Sequence, residues 1–437
     1  DKETNQIIRT IKELFMKNIN NAKELSILID KYLIPQELEK KNNAEVSTPF
    51  QLRQEMLDKI PLEFWTSIKK VFEPCAGKGG FVVDIIDRFM IGLKKTIPDE
   101  KRRYKTIVEE CLYFSDINPT NVFICKLLID PYNEYKLNYN EGNTLELDIK
   151  EKWDMDGFDA VIGNPPYNSS GDTGTGNTIW QDFTKISLQK LLNPNGYLVF
   201  VHPPGWRKPN TKRGKFYGLY KLMTQDNQMI YLSIHGIKDG QKTFHCGTRY
   251  DWYLIKKKSK YRTTIINDEK NNTLDIDMKD FNWLPNYNID TIKNILAKEN
   301  EEKCNIIYNR SNYGSDKKYI QHNKTDEFKY PIIHTIPKSG VRYIYSNCND
   351  KGHFGISKVI FGDNGLNDAI VDMDGEYGMS ENSMAIEVSS VEEANNVKKC
   401  LLNDKFKMFI KTCIIGNFRI DWRLFKELKK DFWKEFI

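Results

Sequence analysis

The sequence lacks the patterns that mark metal-binding, disulfide-bonded and membrane proteins. Its eight cysteines and six histidines are scattered and include no CxxC pair, which argues against a zinc site or a disulfide framework. It also lacks a run of about 18 apolar residues that could span a bilayer, and its polar start lacks the apolar segment of a secretory signal. We therefore expect a cytoplasmic protein that binds neither metal nor membrane.

Neither sign of charge dominates the sequence. Lys and Arg number 65 against 60 for Asp and Glu, which gives a formal charge of +5, so total charge does not identify a polyanionic partner. Hydrophobic residues make up 40% and charged residues 29% of the 437 residues. These proportions exclude a disordered, collagen-like or coiled-coil chain, and the length allows two or more folded units.

The pattern of apolar residues changes twice along the chain. Residues 4–33 carry them at helical spacing, which predicts two helices packed on a larger body. From about residue 70 to 260, short apolar runs alternate with helical segments, which is typical of a mostly parallel sheet covered by helices. After Lys258 the chain becomes polar and rich in Asn and Tyr, which indicates a second domain. We therefore predict three parts, at residues 1–43, 44–260 and 261–437.

A glycine-rich turn follows the first apolar run. Residues 72–81 read FEPCAGKGGF, a strand end that leads into glycines and then into a helix. Glycines let a backbone approach a ligand closely, but this spacing fits neither the GxxxxGKS/T nor the GxGxxG phosphate-binding motif. The acidic Glu73 instead suits a ligand with a cationic head, such as the amino group of a methionine moiety. A plain strand-to-helix turn explains these residues equally well when they are taken alone.

Two further segments put polar side chains at strand ends. Asp116 in SDINP ends the next apolar run, at about the spacing where such folds hold ribose hydroxyls with a carboxylate. Its alternative role is to cap the following helix. Asn143 in EGNTL can set an amide against the edge of an adenine, or it can serve only as a turn residue. Because ligands bind at the carboxyl ends of strands in such sheets, both residues are candidates for a site.

The strongest motif is GNPPY at residues 163–167, at the end of a buried apolar run. Its two prolines have no backbone N–H, so the loop offers acceptors: the Asn164 side-chain oxygen and the Pro165 carbonyl. Two converging acceptors fit a planar NH2 group and can localise the nitrogen lone pair toward an electrophile. Tyr167 then offers a ring to stack on a flat substrate. A purely structural turn is the alternative for these five residues.

The order of these segments resembles that of the S-adenosylmethionine-dependent DNA adenine-N6 methyltransferases whose target-recognition domain follows the catalytic domain. The similarity covers residues 44–258 and depends on Thr48-Pro49, EPCAGKGGF, SDINP, GNTL and NPPY. It implies an α/β fold of the class I methyltransferase type, with a Rossmann-like, seven-stranded, mostly parallel sheet and flanking helices. A mixed α+β target-recognition domain is then expected after it.

The resemblance implies S-adenosyl-L-methionine as the cofactor and double-stranded DNA as the partner, with a cognate restriction endonuclease as a further partner. It assigns the cofactor contacts to Thr48, Pro49, Glu73, Pro74, Ala76, Gly77, Gly79, Phe81, Asp116, Ile117, Asn143, Thr144 and Asn164. It assigns catalysis to Asn164, Pro165, Pro166 and Tyr167, with Phe244 facing Tyr167 across the extruded base. A core phenylalanine is the alternative for Phe244, and Asn143 departs from the Asp more often found at its position.

An adenine in a duplex can be methylated only after its nucleotide swings out of the stack. Residues 168–177 form a polar loop after Tyr167 that is suited to closing over the base, with a simple insertion as the alternative. The basic loop at residues 206–215 predicts phosphate contacts, with a solvated loop as the alternative. Its candidates are Arg207, Lys208, Lys212 and Arg213. In the last domain, cations that include Lys358 mix with tyrosines, as suits contact with a groove.

Other functions stay open at this point. A protein glutamine-N5 methyltransferase faces the same chemical problem and shares the NPPY motif, but such enzymes lack a large domain after the part that matches here. An RNA methyltransferase is a weaker alternative for the same reason. A catalytically silent DNA-specificity subunit would keep the fold without the chemistry, but the intact NPPY motif and Glu73 argue against it.

Overall fold

The chain folds into two compact units. The computed structural model describes residues 2–18, 21–33, 45–169, 178–209, 212–258, 260, 262–308, 317–416 and 419–437. Most of the predicted loop, residues 170–177, lies outside the described residues, as do residues 34–43 of the predicted N-terminal part. The first unit comprises Asp1–Trp206 and Lys215–Lys279, and the second comprises Arg207–Gly214 and Asp280–Ile437.

The first unit is built on a sheet of nine strands within the described residues, in the order β3-β2-β1-β4-β5-β7-β6-β8-β9. The strands are β1 (Val71–Glu73), β2 (Leu112–Asp116), β3 (Asn138–Glu141), β4 (Phe158–Gly163), β5 (Leu192–His202), β6 (Gln228–His235), β7 (Tyr250–Lys256), β8 (Thr264–Asn267) and β9 (Thr273–Ile276). The helices are α1 (Lys2–Asn18), α2 (Ala22–Tyr32), α3 (Phe50–Asp58), α4 (Gly80–Gly92), α5 (Glu100–Thr106), α6 (Pro119–Ile129), α7 (Ile149–Trp153), α8 (Trp180–Ile186), α9 (Leu219–Thr224) and α10 (Ile237–Phe244).

Most strands of this sheet run parallel to their neighbours. The pairs β1–β2, β1–β4, β2–β3, β4–β5 and β6–β8 are parallel. Strand β7 runs antiparallel between β5 and β6, and β9 runs antiparallel to β8. The predicted α/β fold with a mostly parallel sheet is thereby confirmed. The strand order reverses between β1 and β4, which makes this pair the topological switch point of the sheet.

Burial of apolar side chains explains why the central elements form. Every residue of β1 and β2 is buried, because helices that cover both faces of a parallel sheet leave no polar face. Helix α4 buries Phe81, Val82, Val83, Ile85, Ile86 and Phe89. Since full burial of one large apolar side chain stabilises by about 1.5–3 kcal/mol, this helix anchors the glycine-rich turn that precedes it.

The two helices predicted from residues 4–33 are present as α1 and α2. Ile11 and Leu14 of α1, and Leu25 and Ile29 of α2, are buried in the same hydrophobic cluster as the residues of β1 and β2. Their spacing of three and four residues puts them on one face of each helix. Both helices belong to the first unit, so they do not form a unit of their own.

The second unit contains two four-stranded sheets and four α-helices within its described residues. Its strands are β10 (Ile306–Tyr308), β11 (Ile320–Gln321), β12 (Tyr330–Thr335), β13 (Arg342–Ser346), β14 (Lys358–Gly362), β15 (Ala369–Asp372), β16 (Gly378–Met379) and β17 (Ser383–Glu387). Its helices are α11 (Ile289–Ile292), α12 (Val391–Leu401), α13 (Asp404–Thr412) and α14 (Trp422–Lys426). The sheet β10-β17-β14-β15 is antiparallel throughout, and the sheet β11-β13-β12-β16 has one parallel pair, β12–β16.

Two predictions about the architecture need correction. The sheet of the first unit has nine strands rather than seven, because β8 pairs in parallel with β6, and β9 pairs with β8. The predicted boundary at residue 260 is therefore too early, since both added strands belong to the first unit, which extends to Lys279. Short polar strands at a sheet edge carry a weak apolar signal, so their sequence resembles that of the following domain.

The structure also bears on two protein classes considered from composition. All eight cysteines are free thiols, as the absence of paired spacing predicts. Within the described part of the chain, no helix has the combination of length and hydropathy that crossing a bilayer requires.

Lys358 lies inside the second unit rather than at a DNA-facing surface. Its Nζ donates to Asp372 Oδ2 at 2.8 Å and to the Ile356 carbonyl at 3.2 Å, and neither charged side chain is more than 2% exposed. Asp372 also accepts from the backbone N–H groups of Glu376 and Tyr377. The pair therefore joins β14 to β15 and to the turn that follows. The predicted groove contact by Lys358 is wrong, because its ammonium group is buried.

Removing one partner of this buried pair is expected to destabilise the second unit. Lys358→Met leaves the Asp372 carboxylate buried without its cation, which costs about 3–5 kcal/mol in comparable pairs. Lys398→Met is the matched control, because Lys398 faces Asp368 at 3.8 Å and both side chains are partly exposed. Chemical denaturation should show a large decrease in stability for the first variant and a change within about 1 kcal/mol for the second. Equal decreases would contradict the role of the buried pair.

Candidate functional site

A cavity of about 350 Å³ opens at the carboxyl edge of the sheet in the first unit. The ends of β1, β2 and β4, the loop after β3 and the segment before α3 all contribute to its walls. A crevice forms there because the connections after β1 and β4 lead to opposite faces of the sheet. The sequence motifs from Thr48-Pro49 through NPP are therefore brought to one cavity by the reversal of strand order.

The glycine-rich turn after β1 is shaped by two glycines in the left-handed region. The φ angle is +54° at Gly77 and +91° at Gly79, values that residues with a Cβ rarely adopt. The Gly77 N–H donates to Asp116 Oδ2 at 2.8 Å, and the Ala76 N–H donates to the Ser115 carbonyl at 2.9 Å. These bonds fix the turn to the end of β2.

Glu73 ends β1 with its carboxyl group buried. Its Oε1 accepts from the Cys75 N–H at 2.8 Å, and a Cβ at Gly163 would lie 2.6 Å from the same oxygen, so glycine at the end of β4 leaves room for it. Burial raises the pKa of Glu73 to about 8; the Cys75 N–H opposes this rise and the charge of Asp116 adds to it. A cation in the cavity would therefore favour the ionised form.

Asp116 belongs to a buried polar network behind the glycine-rich turn. Its Oδ1 accepts from the Asn118 N–H at 2.8 Å and from Asn121 Nδ2 at 3.3 Å. Asn121 Nδ2 also donates to Glu45 Oε2 at 3.0 Å, and its Oδ1 accepts from Lys78 Nζ at 2.5 Å. Burial raises the pKa of Asp116, while these amide donors and the Lys78 charge oppose the rise. The network holds one carboxylate in the cavity wall with its position fixed from several sides.

The loop after β3 completes this wall. The Thr144 hydroxyl is buried, 2.6 Å from the Pro74 carbonyl and 2.8 Å from Ser115 Oγ, and so joins the loop after β3 to the loop after β1 and to the end of β2. Asn143 Oδ1 accepts from the Leu145 N–H at 3.0 Å, which is the turn role considered for it. Asn143 also lines the cavity, so capping the turn does not remove it from the candidate site.

The Asn164 side chain at the end of β4 is held in one orientation. Its Nδ2 donates to Thr48 Oγ1 at 3.0 Å and to the Val46 carbonyl at 3.4 Å. Since a carbonyl can only accept, these contacts assign the nitrogen to that side and leave Oδ1 on the other. Within the described part of the chain, Oδ1 is buried and accepts no hydrogen bond. Such an unsatisfied acceptor costs about 1–3 kcal/mol, which a ligand N–H would recover.

Tyr167 and Phe244 do not face each other across this cavity. Burial raises the pKa of Tyr167; Cys246 and Tyr250 add to this rise, and the Asn164 side chain opposes it. Phe244 is 8% exposed and packs edge-on against Tyr250, with ring centroids 4.9 Å apart. Neither residue is among the described residues that line the cavity. The prediction for Phe244 is corrected accordingly: its ring is part of the hydrophobic core.

Most of the predicted cofactor residues do come together. The lining includes Thr48, Glu73, Pro74, Ala76, Gly77, Phe81, Asp116, Ile117, Asn143, Thr144 and Asn164, together with Pro165 and Pro166. Pro49 and Gly79 lie beside lining residues without being part of the lining. Pro49 occupies the position before the first residue of α3, and a Cβ at Gly79 would lie 3.3 Å from side-chain atoms of Cys125 and Leu128. The predicted cofactor contacts of Pro49 and Gly79 therefore stay predictions.

The four predicted DNA-contacting cations separate into two groups. Arg207 is fully buried, and its guanidinium donates to two backbone carbonyls and one side-chain amide of residues 284–286 at 3.0 to 3.1 Å. Its predicted phosphate contact is corrected, because these bonds direct it into the second unit. Lys208 is partly buried, and burial lowers its pKa. Lys212 and Arg213 are exposed, so they keep the predicted role as a proposal.

The lining residues that the sequence interpretation missed include Glu45, Arg53, Lys78 and Asn121. Asn121 had a usable signal, since it is a polar residue among the apolar positions of α6 and is buried there. Lys78 lies within the glycine-rich turn, where a buried cation was not expected. The other two lie close to Thr48-Pro49 in the chain, but their partners are far away in sequence, which no local pattern reveals.

The groups that line the cavity suit S-adenosylmethionine. The buried carboxyl groups of Glu73 and Asp116 fit an ammonium group and a ribose diol, and Gly77 allows the main chain to approach a ligand without a Cβ in the way. Ile117 is 59% exposed and lines the cavity, which offers an apolar face to a flat ring. The cavity thus offers groups that suit the ammonium, ribose and adenine parts of S-adenosylmethionine, and these groups lie at the ends of neighbouring strands.

Comparison with known proteins agrees with the motifs. Residues 110–241 match the family model described as Eco57I restriction-modification methylase. A curated relative from Mycoplasma pneumoniae, described as an uncharacterized adenine-specific methylase, is 26% identical, and the match covers 38% of this chain and 56% of the relative. The chain thus spans little more than half the length of that relative. These matches confirm the resemblance to adenine-specific DNA methyltransferases.

Two solved structures are similar to this chain at low sequence identity. The DrdV–DNA complex, determined by cryo-electron microscopy, is 11% identical with a TM-score of 0.51, and the match covers 94% of this chain and 57% of that chain. The Type IIL restriction-modification enzyme MmeI in complex with DNA is 12% identical with a TM-score of 0.48, covering 97% and 66%. At such identities the similarity concerns the fold alone, and the DrdV match is the stronger of the two.

Titration of Glu73 is expected to make stability depend on pH. Between its ordinary pKa of 4.5 and about 8, the folded protein keeps a proton that the unfolded chain has released, so stability falls as pH rises through this window. Glu73→Gln should remove that slope, and Glu141→Gln, at an exposed residue that ends β3, is the control. Melting temperatures measured from pH 5 to 8.5 without ligand test this. A difference between wild type and Glu73→Gln that stays constant with pH would contradict the buried, protonated carboxyl.

Proposed function

We propose that this chain transfers a methyl group from S-adenosyl-L-methionine to the N6 amino group of adenine at a specific site in double-stranded DNA. The observation that carries the proposal is Asn164 Oδ1, a buried acceptor with no partner in the described residues, beside a cavity that contains buried carboxyl groups. An exocyclic NH2 group supplies the donor that this oxygen lacks.

In this proposal the cofactor lies against the ends of β1 and β2. Glu73 holds its ammonium group, Asp116 its ribose hydroxyls, and Asn143 and Ile117 the edge and the face of its adenine. Gly77 lets the main chain approach it closely. When bound, S-adenosylmethionine supplies a methyl group attached to a sulfonium centre, which makes that carbon electrophilic.

The rim formed by Asn164 and Pro165 acts on the target amine. An exocyclic nitrogen is a poor nucleophile because its lone pair is delocalised into the ring. Asn164 Oδ1 and the Pro165 carbonyl accept hydrogen bonds from its two N–H groups and favour a tetrahedral nitrogen with a localised lone pair. The nitrogen would bond to the methyl carbon as the carbon–sulfur bond breaks, with S-adenosylhomocysteine as the leaving group and one N–H proton released to water. Pro166 keeps the rim rigid, since proline fixes φ and has no N–H that would compete for the acceptors.

The base has to leave the duplex before it can reach this rim, which costs a few kcal/mol of stacking and pairing energy. Tyr167 directly follows the rim and supplies an aromatic ring for stacking on the extruded base.

We propose the second unit as the target-recognition domain. Arg342 and Tyr343 on β13 are exposed, and Lys351 lies over the Tyr319 ring at 4.5 Å. Such mixed basic and aromatic groups suit contacts to phosphates and base edges. DNA as the substrate is supported by the family match to a restriction-modification methylase. The same match favours a cognate restriction endonuclease as a partner of the system.

A single labelling experiment separates this proposal from its alternatives. The purified chain is incubated with methyl-labelled S-adenosylmethionine and with duplex DNA, RNA or protein, and the products are digested to nucleosides and amino acids. We expect label in N6-methyladenine from DNA. Label in glutamine alone would favour the protein methyltransferase, and cofactor binding without any transfer would favour a silent specificity subunit.

Removal of the rim acceptor is expected to abolish transfer while the cofactor still binds. Asn164→Ala should lower kcat by roughly 100- to 1,000-fold, the usual effect of removing one preorganised group that acts on developing charge. Affinity for S-adenosylhomocysteine, measured by calorimetry, should change little. Asn272→Ala, at an exposed asparagine in the same unit, is the control. Unchanged turnover in the Asn164 variant would overturn the assigned role.

The two exposed cations of the basic loop are expected to bind backbone phosphates. Replacing Lys212 and Arg213 by Ala should weaken DNA binding for all sequences alike and reduce the slope of log K against log salt by about 0.9 for each phosphate that is no longer neutralised. Titrations of labelled duplex DNA at several salt concentrations measure this slope. Lys190→Ala, at an exposed lysine of the first unit, is the control. A slope equal to that of wild type would contradict the role in phosphate binding.

A further inference from the structure

Arg53, on α3, is the most extensively bonded buried cation next to the cavity. Its Nε donates to Asp84 Oδ2 at 2.5 Å, and its Nη1 donates to Asp30 Oδ1 and to the Thr48 carbonyl, both at 2.6 Å. Its Nη2 donates to Ser26 Oγ at 2.8 Å and to the Ser26 carbonyl at 3.2 Å. All three guanidinium nitrogens are therefore engaged. They join α2, α4 and the segment before α3 through one side chain.

The fold leaves space for this guanidinium at the start of α4. A Cβ at Gly80 would lie 2.9 Å from Arg53 Cζ, closer than such contacts occur, so glycine is required at that position while the arginine occupies it. Gly80 and Arg53 both line the cavity. The glycine pair of the GKGG motif thus serves two purposes, since Gly79 takes a left-handed conformation and Gly80 accommodates a buried arginine.

A short chain of contacts connects Arg53 to the reactive rim. Arg53 holds the Thr48 carbonyl at 2.6 Å. The hydroxyl of Thr48 accepts from Asn164 Nδ2 at 3.0 Å, and the Val46 carbonyl accepts from the same nitrogen at 3.4 Å. The orientation of the Asn164 amide, and hence the direction of its Oδ1, depends on where residues 46–48 lie. Arg53 holds this segment through its bond to the Thr48 carbonyl.

The N-terminal helix α2 contributes to the same arrangement. Ser26 and Asp30 both lie on α2 and bond to Arg53, while Asp30 Oδ2 accepts from the Phe50 N–H at the start of α3. Ser26 also donates from its hydroxyl to Asp84. A helix that contributes no residue to the predicted catalytic motifs is therefore bonded, through two of its polar side chains, to the support of the catalytic asparagine.

We propose that Arg53 is a positioning residue for methyl transfer, which uses α2 to hold Thr48 and thereby aims the Asn164 amide. It acts through Thr48 rather than by touching the substrate amine. This proposal rests on the proposed function, because it concerns the geometry of the same rim. It adds a role for α2, which supports the rim through the Arg53 cluster of Ser26, Asp30, Arg53 and Asp84.

The test compares Arg53→Lys with a matched control. Lysine keeps the charge but has three donors on one nitrogen, so it cannot replace the planar fork that reaches three elements. Arg88→Lys is the control, because Arg88 joins the same two helices, α3 and α4, through Asp58 at 2.7 Å and Gln54 at 2.8 Å, away from the cavity lining.

Two readouts are used with both variants. We expect Arg53→Lys to lower kcat by roughly 10- to 100-fold, the scale expected when a catalytic group is misplaced by about 1 Å, and to raise the Kd for S-adenosylhomocysteine several-fold. Arg88→Lys should leave both unchanged. If Arg53→Lys behaves like Arg88→Lys in both readouts, the proposal is overturned. If wild type binds S-adenosylhomocysteine but transfers no methyl group to DNA, the proposed function fails while the Kd comparison still decides whether Arg53 positions the cavity wall.

The route through Thr48 has its own test. Thr48→Val removes the hydroxyl that accepts from Asn164, and Thr48→Ser restores it. We expect Thr48→Ser to recover turnover relative to Thr48→Val, and the double variant Arg53→Lys/Thr48→Val to have a kcat no lower than that of its worse single variant, because the two act in one chain. Decreases that multiply would show that Arg53 acts independently of Thr48 and would overturn the route.

A milder variant covers the case in which Arg53→Lys does not fold. Asp30→Asn keeps the shape of the side chain and weakens the hold of α2 on Arg53, and Asp30 is only partly buried. It should lower kcat in the same direction as Arg53→Lys while a cooperative melting transition is retained. Normal turnover in a folded Asp30→Asn protein would overturn the claim that α2 helps Arg53 to position Asn164.

Discussion

The reversal of strand order between β1 and β4 is the constraint on which the site depends. Because the chain leaves these neighbouring strands toward opposite faces of the sheet, a crevice opens between their carboxyl ends. Glu73 ends one strand and Gly163 the other, and the Gly163 position lacks the Cβ that would collide with the Glu73 carboxylate. The residues that would bind the cofactor and those that would act on the amine therefore share one wall.

Burial of polar groups is the second feature that defines this site. Carboxyl groups that lie away from water are stable only where donors surround them, and Asp116 meets this condition through backbone and amide N–H groups. Glu73 has one backbone donor and a raised pKa, and Asn164 Oδ1 has no donor among the described residues. Groups left short of partners in an otherwise satisfied network mark where a ligand completes the bonding.

The motifs at strand ends could be predicted because each is local: a strand, a turn and a helix follow one another within about ten residues, and parallel strands bring their ends to one edge. Predictions failed where a side chain's environment comes from distant segments. Arg207 and Lys358 lie in basic segments whose composition is typical of DNA contacts. In the folded chain, however, each donates hydrogen bonds to buried acceptors. The prediction for Phe244 depends on its position late in the domain, but packing against Tyr250 puts it in the core.

The sequence by itself determined the α/β class, the glycine-rich turn, the acidic strand ends and the acceptor-rich loop after β4, because apolar periodicity and backbone restrictions of glycine and proline act over short stretches of chain. The tertiary structure alone decided that β8 and β9 extend the sheet, which cations are buried, and that Arg53 joins α2 to the segment holding Asn164. Those outcomes depend on which distant groups meet, and hydrogen bonds between residues far apart in sequence leave no periodic trace in it.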